Sequence, residues 1–476
     1  MQIKYLIRFI TLVLSLFLIL FTIINGFGDG LTVILSLLFF LMNIFPTFIR
    51  NNRYKGLYYF FSIINLVFIG FGILLYTVVP ELVLNIRTIL YIDLSYMFFL
   101  FGMVLGGKIT IPVRSFPLIR KNSLNKRMTL PYNIIIIIII GIISNTGSFL
   151  FPNFISSLGI GLKLKLFINI IFNYQFYYLI LFLLIYNDYR FYKSFEKLIL
   201  LLLIVTFVLF KLLIGVKSGI IQISIFLLIA FLTMSPDFKI PKKAMSFFLI
   251  LFPLILLSYH IGLSVRELMR NQYHTGNVGL IEVYISIYNN ISIYDLDAIS
   301  IFKKFTERVS EIGQLDILFN NKKNLTKWAT NYFEYLTNLL LPGSFFSNVV
   351  SPALYFKVAY LNVSLSEALT SYHSVMLPLY GEVYSLSGPL SLIILFFIGF
   401  IYINTINFLI SQDYFSRIAV YAFSMYILYG LLFGMGFVLA IQQLMYSIII
   451  PGIIFVIFFR KTLFLLKNTH PLHYRI

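Results

Sequence analysis

Residues 4–24 read KYLIRFITLVLSLFLILFTII and residues 30–49 read GLTVILSLLFFLMNIFPTFI, joined by NGFGD at 25–29 and followed by RNNRYK at 50–55. A bilayer core takes about 20 apolar residues of helix, and both runs have that length. Helix is the form a single span must take, because lipid offers no partner to a backbone N–H or C=O. The first connection has no Lys or Arg, whereas the second has Arg50, Arg53 and Lys55. Basic connections stay on the cytoplasmic side, so the pair predicts a cytoplasmic N-terminus. No small-residue cleavage site follows the basic start and apolar run of Met1 to Leu20, so this stretch is expected to be a retained first helix.

The same pattern runs along the chain. Apolar segments occur at 57–79, 88–107, 132–150, 164–186, 196–214, 219–234, 246–263, 386–409, 416–436 and 439–459, giving about twelve spans in all. The connections at 108–131, 187–195 and 235–245 carry Lys108, Arg114, Arg120, Lys121 and Arg127, then Arg190 and Lys193, then Lys239, Lys242 and Lys243. The tail at 460–476 adds Arg460, Lys461, Lys467 and Arg475, while the opposite connection Thr77 to Ile86 has no Lys or Arg before its last turn. Both termini are therefore expected in the cytoplasm. Composition agrees: 60% of the 476 residues are hydrophobic and 11% charged, with mean hydropathy +0.94. Soluble domains are nearer a quarter charged. The net charge of +19 could signal nucleic acid, but its placement in one set of connections makes it a topology signal. With no cysteine, disulfides, thiolate metal sites and Cys nucleophiles are excluded.

The expected fold is thus all-α: a polytopic membrane protein with spans one to nine in 1–263, a large extracytoplasmic loop at 264–385, spans ten to twelve in 386–459, and a tail at 460–476. The long loop is neutral, with nine basic and nine acidic residues between Arg266 and Glu367, and it holds the single tryptophan, Trp328. Leu296 to Glu311 patterns as an amphipathic helix. Thr330 to Leu341, stopped by Pro342-Gly343, patterns as a second. Ser364 to Glu367 has the spacing of a capping box opening a third.

Charge on the outer side is where function is sought, because charge in or beside lipid is costly. Lys211 and Lys217 flank the junction of spans seven and eight, and Lys217-Ser218-Gly219 opens the eighth. A helix N-terminus beside a lysine suits a phosphate; the plainer reading is two lysines reaching the headgroups. Arg266 and Arg270 stand four residues apart on one helix face, where two forks suit a pyrophosphate or an interfacial anchor. Lys163 and Lys165 read as headgroup anchors. His373 is a general-base candidate in the loop, with Glu382 nine residues on as either base or ion-pair partner. Asp29 and Asp93 are the other acids near outer ends of spans, with less claim to a role. No P-loop, His-Glu-x-x-His or Gly-x-Ser-x-Gly elbow appears.

This layout resembles the Wzy-type oligosaccharide repeat-unit polymerases of bacterial O-antigen and capsule pathways. Two segments carry the likeness. Gly215-Val-Lys217-Ser218-Gly219 is similar to the family's Gly-(Ser/Thr)-Arg-(Gly/Ala) junction, with Lys where Arg is frequent. His373 followed by Leu379-Tyr-Gly-Glu382-Val-Tyr384-Ser-Leu-Ser-Gly388 is similar to a loop His, a polar helix, and a Gly where the next span begins. The resemblance implies a metal-independent glycosyltransferase of the plasma membrane, without cofactor. Its donor and acceptor would be undecaprenyl-pyrophosphate-linked oligosaccharides, and a chain-length regulator is an implied partner. His373 or Glu382 would take the acceptor proton, and Lys211, Lys217, Arg266 and Arg270 would hold the pyrophosphate. An O-antigen ligase shares the histidine loop and differs in acceptor. A lipid-linked oligosaccharide flippase, the transporter alternative, generally has short loops and repeat-related halves.

Overall fold

The computed structural model describes residues 2–25, 30–49, 54–78, 84–108, 194–199, 218–234, 378–411 and 417–434, with isolated positions between them. The described residues are almost entirely helical and contain no strand. The chain falls into two compact units: Met1–Arg114, Thr306–Phe415 and Phe423–Leu444 in the first, and Ser115–Phe305, Ser416–Ala422 and Met445–Ile476 in the second. In the second unit the longest described element is one helix, Ser218–Met234.

The first unit is a bundle. In chain order its helices are α1 (Ile3–Asn25), α2 (Gly30–Ile44), α3 (Lys55–Asn65), α4 (Phe71–Val78) and α5 (Ile86–Lys108). The Ser218–Met234 helix is α6, and α7 (Leu379–Ser387), α8 (Ser391–Ser411) and α9 (Arg417–Tyr429) follow. A single turn of 3₁₀ helix, Phe45–Phe48, extends α2, and a π turn, Leu66–Gly70, joins α3 to α4. Among the described residues, five stretches are long and apolar enough to cross a membrane: Ile3–Ile23, Gly30–Phe48, Lys55–Tyr76, Ile86–Lys108 and Leu379–Ile410. They match the spans expected at 4–24, 30–49, 57–79 and 88–107, and the last contains that at 386–409. Large apolar side chains face outward on four of them, Lys55–Tyr76 being mostly buried: Phe9 is 61% exposed and Ile23 72%, with Phe397 and Ile401 doing the same on α8. A water-facing surface rarely tolerates such a stripe, whereas lipid requires it.

Aromatic stacking and close helix approach hold the interior. Tyr96 of α5 stacks on Phe61 of α3 with centroids 4.9 Å apart and meets Phe39 of α2 edge-on at 5.9 Å. Phe61 also stacks on Phe99 at 5.4 Å. Such pairs contribute about 0.5–1.5 kcal/mol each beyond their burial. Against α8, α5 presents Gly102 and Gly106. A Cβ on Gly102 would overlap the Phe396 carbonyl, and one on Gly106 would lie 2.9 Å from the Phe400 carbonyl oxygen. From the other side, a Cβ on Gly399 would overlap the Phe99 carbonyl. Small residues one turn apart let two backbones touch, which is how helices associate where lipid removes the hydrophobic drive between them.

The contacts fix directions. At one end of the bundle Arg8 of α1 donates from Nε to Thr47 Oγ1 at 2.9 Å and lies over the Phe48 ring, so α1 and α2 are antiparallel. Tyr58 hydroxyl donates to the Met103 carbonyl while Phe61 meets Tyr96, so α3 opposes α5. Tyr91 meets Ser391, and Gly106 meets Phe400 and Asn404, so α5 and α8 run parallel.

Four short-lying residues of the long segment, Ile312, Gly313, Leu315 and Asp316, are helical, and Ile312 and Leu315 are fully buried. A Cβ on Gly313 would overlap the Tyr76 hydroxyl. Asp316 Oδ1 accepts from the Asn85 backbone N–H at 3.0 Å and the Thr88 hydroxyl at 2.7 Å. The expected spans at 132–150, 164–186, 246–263 and 439–459, most of 196–214, and the expected helices at 296–311 and 330–341 lie outside the described residues.

Candidate functional site

The segment before α8 shows the most unusual local structure. Pro378 is the residue before α7, with extended ψ, and its carbonyl accepts from the Glu382 N–H at 2.9 Å. Proline suits this place because it has no N–H to leave unpaired at a helix start. Leu379, Tyr380, Gly381, Glu382 and Val383 are all buried. The helix ends at Gly388, whose φ of +56° is a conformation that only glycine adopts without strain. One 3₁₀ turn, Gly388–Leu390, then leads into α8. The apolar stretch is therefore a broken helix, the device by which membrane proteins place polar groups within a bundle.

Polar side chains gather around that break. Glu382, 2% exposed, lies in the first turn of α7, where the helix dipole favours a carboxylate. The Tyr91 hydroxyl of α5 pairs with Ser391 Oγ at 2.6 Å and lies 3.4 Å from the Tyr380 carbonyl oxygen. Tyr384 meets the Tyr91 ring edge-on at 4.7 Å. The Tyr380 hydroxyl donates to Asn65 Oδ1 at 3.5 Å, and Asn65 Nδ2 donates to the Phe61 carbonyl at 2.8 Å. Asn65 immediately precedes the π turn Leu66–Gly70, and Phe68 within that turn meets Tyr429 at 5.7 Å, next to a second π turn, Gly430–Gly434. Such turns recur at functional sites, because they release backbone groups and re-aim side chains.

Asp93, half a turn beyond Tyr91 on α5, is 1% exposed, and neither carboxylate oxygen has a hydrogen-bond partner among the described residues. A carboxyl so placed costs stability, and in membrane helices that cost marks a functional position more often than a structural one. Chemically the cluster offers a carboxylate, tyrosine and serine hydroxyls, an amide and aromatic faces. That set can hydrogen-bond polyol hydroxyls and lie against the apolar face of a sugar ring. No group of three or more His, Cys, Asp or Glu that could hold a metal occurs among the described residues.

Of the site residues read from the sequence, Glu382 is described, buried on the same helix as Tyr380 and Tyr384. His373, Lys211, Lys217, Arg266 and Arg270 lie outside the described residues, as do Asp29, Lys163 and Lys165. Helix α6 begins at Ser218, directly after Lys217. His373 is five residues from Pro378, so chain length alone keeps its Cα within roughly 18 Å of Pro378, the residue before α7. Asn65, Tyr91, Tyr380 and Ser391 were not singled out from the sequence. The signal for them was a polar side chain inside an apolar run, which is also how a lipid-facing serine or tyrosine reads. Compared with known proteins, the chain matches no family model, no curated protein and no solved structure.

Proposed function

We propose that the protein is a membrane glycosyltransferase that joins undecaprenyl-pyrophosphate-linked oligosaccharide repeat units into a surface polysaccharide, O-antigen or capsule, on the outer side of the bacterial plasma membrane. The observation that carries this reading is the buried Glu382 in the first turn of α7, the same short helix that brings Tyr380 and Tyr384 to the polar and aromatic cluster at the end of the bundle where α5 begins. By the charge pattern that end is extracytoplasmic, and so are the termini's opposites: both termini are cytoplasmic in this account.

The chemistry follows from the residues. An acceptor hydroxyl attacks the anomeric carbon of the donor glycan. A base, His373 or Glu382, takes its proton. The bond to the lipid pyrophosphate breaks, and charge building on that leaving group is met by Lys211, Lys217, Arg266 and Arg270. Tyr384, partly exposed and braced by the buried Tyr91, offers its hydroxyl and ring face to the sugars. The long segment 264–385, with Asp316 bound at the α5 start, supports an enzyme over a flippase, which has no need of it.

The test is a deletion strain. Loss of the gene leaves single repeat units on the lipid carrier or its acceptor in place of long chains. Lipid-linked units trapped on the inner leaflet support the flippase instead, and full-length chains left on the lipid carrier support the ligase.

A further inference from the structure

The long segment between α6 and α7 meets the bundle at Asp316, and that contact is built with more care than a chance touch. One oxygen, Oδ1, accepts two donors from another part of the chain, the Asn85 N–H and the buried Thr88 hydroxyl, 231 and 228 residues away. Both donors belong to the start of α5. Asn85 caps that helix itself, its Oδ1 accepting the Arg87 N–H at 2.9 Å. The Asp316 carboxylate therefore adds a negative group to a helix start already closed by its own cap, where the dipole favours it. A helix start that only needed a cap would not require a second acceptor from so far away.

The neighbouring residues are shaped to the same end. Gly313, one turn before Asp316, sits where any side chain would overlap the Tyr76 hydroxyl at the end of α4. Ile312 and Leu315 are buried on either side. Residues 312–316 thus engage the ends of two successive helices, α4 and α5, at once.

We propose that Asp316 is the positioning residue that registers the long segment on the bundle, and that this latch stays closed while the protein works. The bond adjoins the polar cluster through α5: Thr88 lies one turn from Tyr91, which holds Ser391 and contacts Tyr384. Fixing Asp316 to that turn ties its part of the long segment to the helix that lines the cluster. The latch itself does not depend on the polymerase reading, whereas its effect on chain growth does.

The chain has no cysteine, so pairs can be introduced cleanly. Thr88→Cys with Asp316→Cys, plus a protease site inserted after Lys121, gives two fragments once cut. Mild oxidation is expected to hold them together on a non-reducing gel, while Leu90→Cys with Asp316→Cys leaves them apart. Leu90 is two residues on and faces outward. Separate fragments from the first pair, or equal linkage from both, overturn the latch. Next, Asp316→Ala is expected to lower the melting midpoint in detergent by several degrees and shorten the glycan chains. Asp316→Asn keeps an acceptor oxygen and is expected to restore most of both; an Asn variant as poor as Ala overturns the hydrogen-bond role. Last, the oxidised pair is expected to keep making long chains, and loss of chain growth reversed by reductant overturns the closed latch. If the unaltered protein makes no chains but the Thr88 pair still links, the latch stands and the polymerase reading fails.

Discussion

Replacing Gly102 by alanine sets two effects against each other, and the structure decides the sign. Alanine is the better helix former by about 1 kcal/mol, so propensity alone predicts stabilisation. The new methyl, however, would overlap the Phe396 carbonyl of α8. Backbone cannot move aside as a side chain can, so α5 and α8 must part. A gap of 0.5–1 Å forfeits roughly a quarter to a half of each contact across the seam. Overpacking costs about 1–3 kcal/mol, and a rigid backbone obstacle puts this case at about 2–3 before the propensity gain is subtracted. The net expectation for Gly102→Ala is a loss of about 1–2 kcal/mol, with Gly399→Ala similar because its Cβ would meet the Phe99 carbonyl. Gly30 is the spatial control: it stands at the start of α2, and a Cβ there meets nothing within 4 Å. The assay is thermal unfolding of the purified protein in one detergent, followed by loss of monodisperse elution. A Gly102→Ala protein as stable as the parent, or more so, refutes the close α5–α8 seam. The double change should cost less than the sum of the singles, since both press on one interface.

Other expectations follow from the cluster and the charges. Tyr91→Phe leaves the buried Ser391 hydroxyl without its 2.6 Å partner and should cost about 1–2 kcal/mol, whereas Tyr380→Phe removes only a 3.5 Å bond and should cost under about 1, both read from unfolding midpoints. Arg266→Ala and Lys217→Ala each remove one of several contacts proposed for the pyrophosphate, so each should shorten chains without abolishing them; a null phenotype from either contradicts shared binding. Arg266→Lys should recover less than Lys217→Arg, because only arginine offers a planar fork. Cysteine at Asn321 should label with an impermeant maleimide in intact cells, and labelling only after permeabilisation contradicts the proposed topology.

The helices were legible because apolar length is a strong signal. Lipid demands about 20 apolar residues, and residues 3–25, 30–48, 55–78 and 86–108 supply them within a few positions of where composition puts them. The parallel α5–α8 pair agrees with the expected count, since the five spans expected between spans four and ten are an odd number, which gives the two one direction. The Gly388 break was visible as a glycine and proline ahead of an apolar run. What stayed hidden was the pairing across the chain. Nothing local in Asp316 names Asn85 and Thr88 as partners, because 228 residues intervene. Asp93 was seen as an acid near a span end, yet its burial without a partner among the described residues depends on what α5 packs against. The Gly102–Gly106 spacing was present in the sequence, but a small-residue pair acquires meaning only when a neighbour such as Gly399 is known.

The central claim is that the protein forms glycosidic bonds between lipid-linked units, and reconstitution tests it most directly. The purified protein is placed in liposomes with an undecaprenyl-pyrophosphate-linked repeat unit and no metal. The account predicts a ladder of longer lipid-linked chains, with one undecaprenyl pyrophosphate released for each bond made. His373→Gln and Glu382→Gln, run alongside, identify the base: the one whose loss cuts the rate by about 10²–10⁴-fold carries the proton. Lipid-linked units that cross the bilayer without growing, and with no pyrophosphate carrier released, would contradict the account.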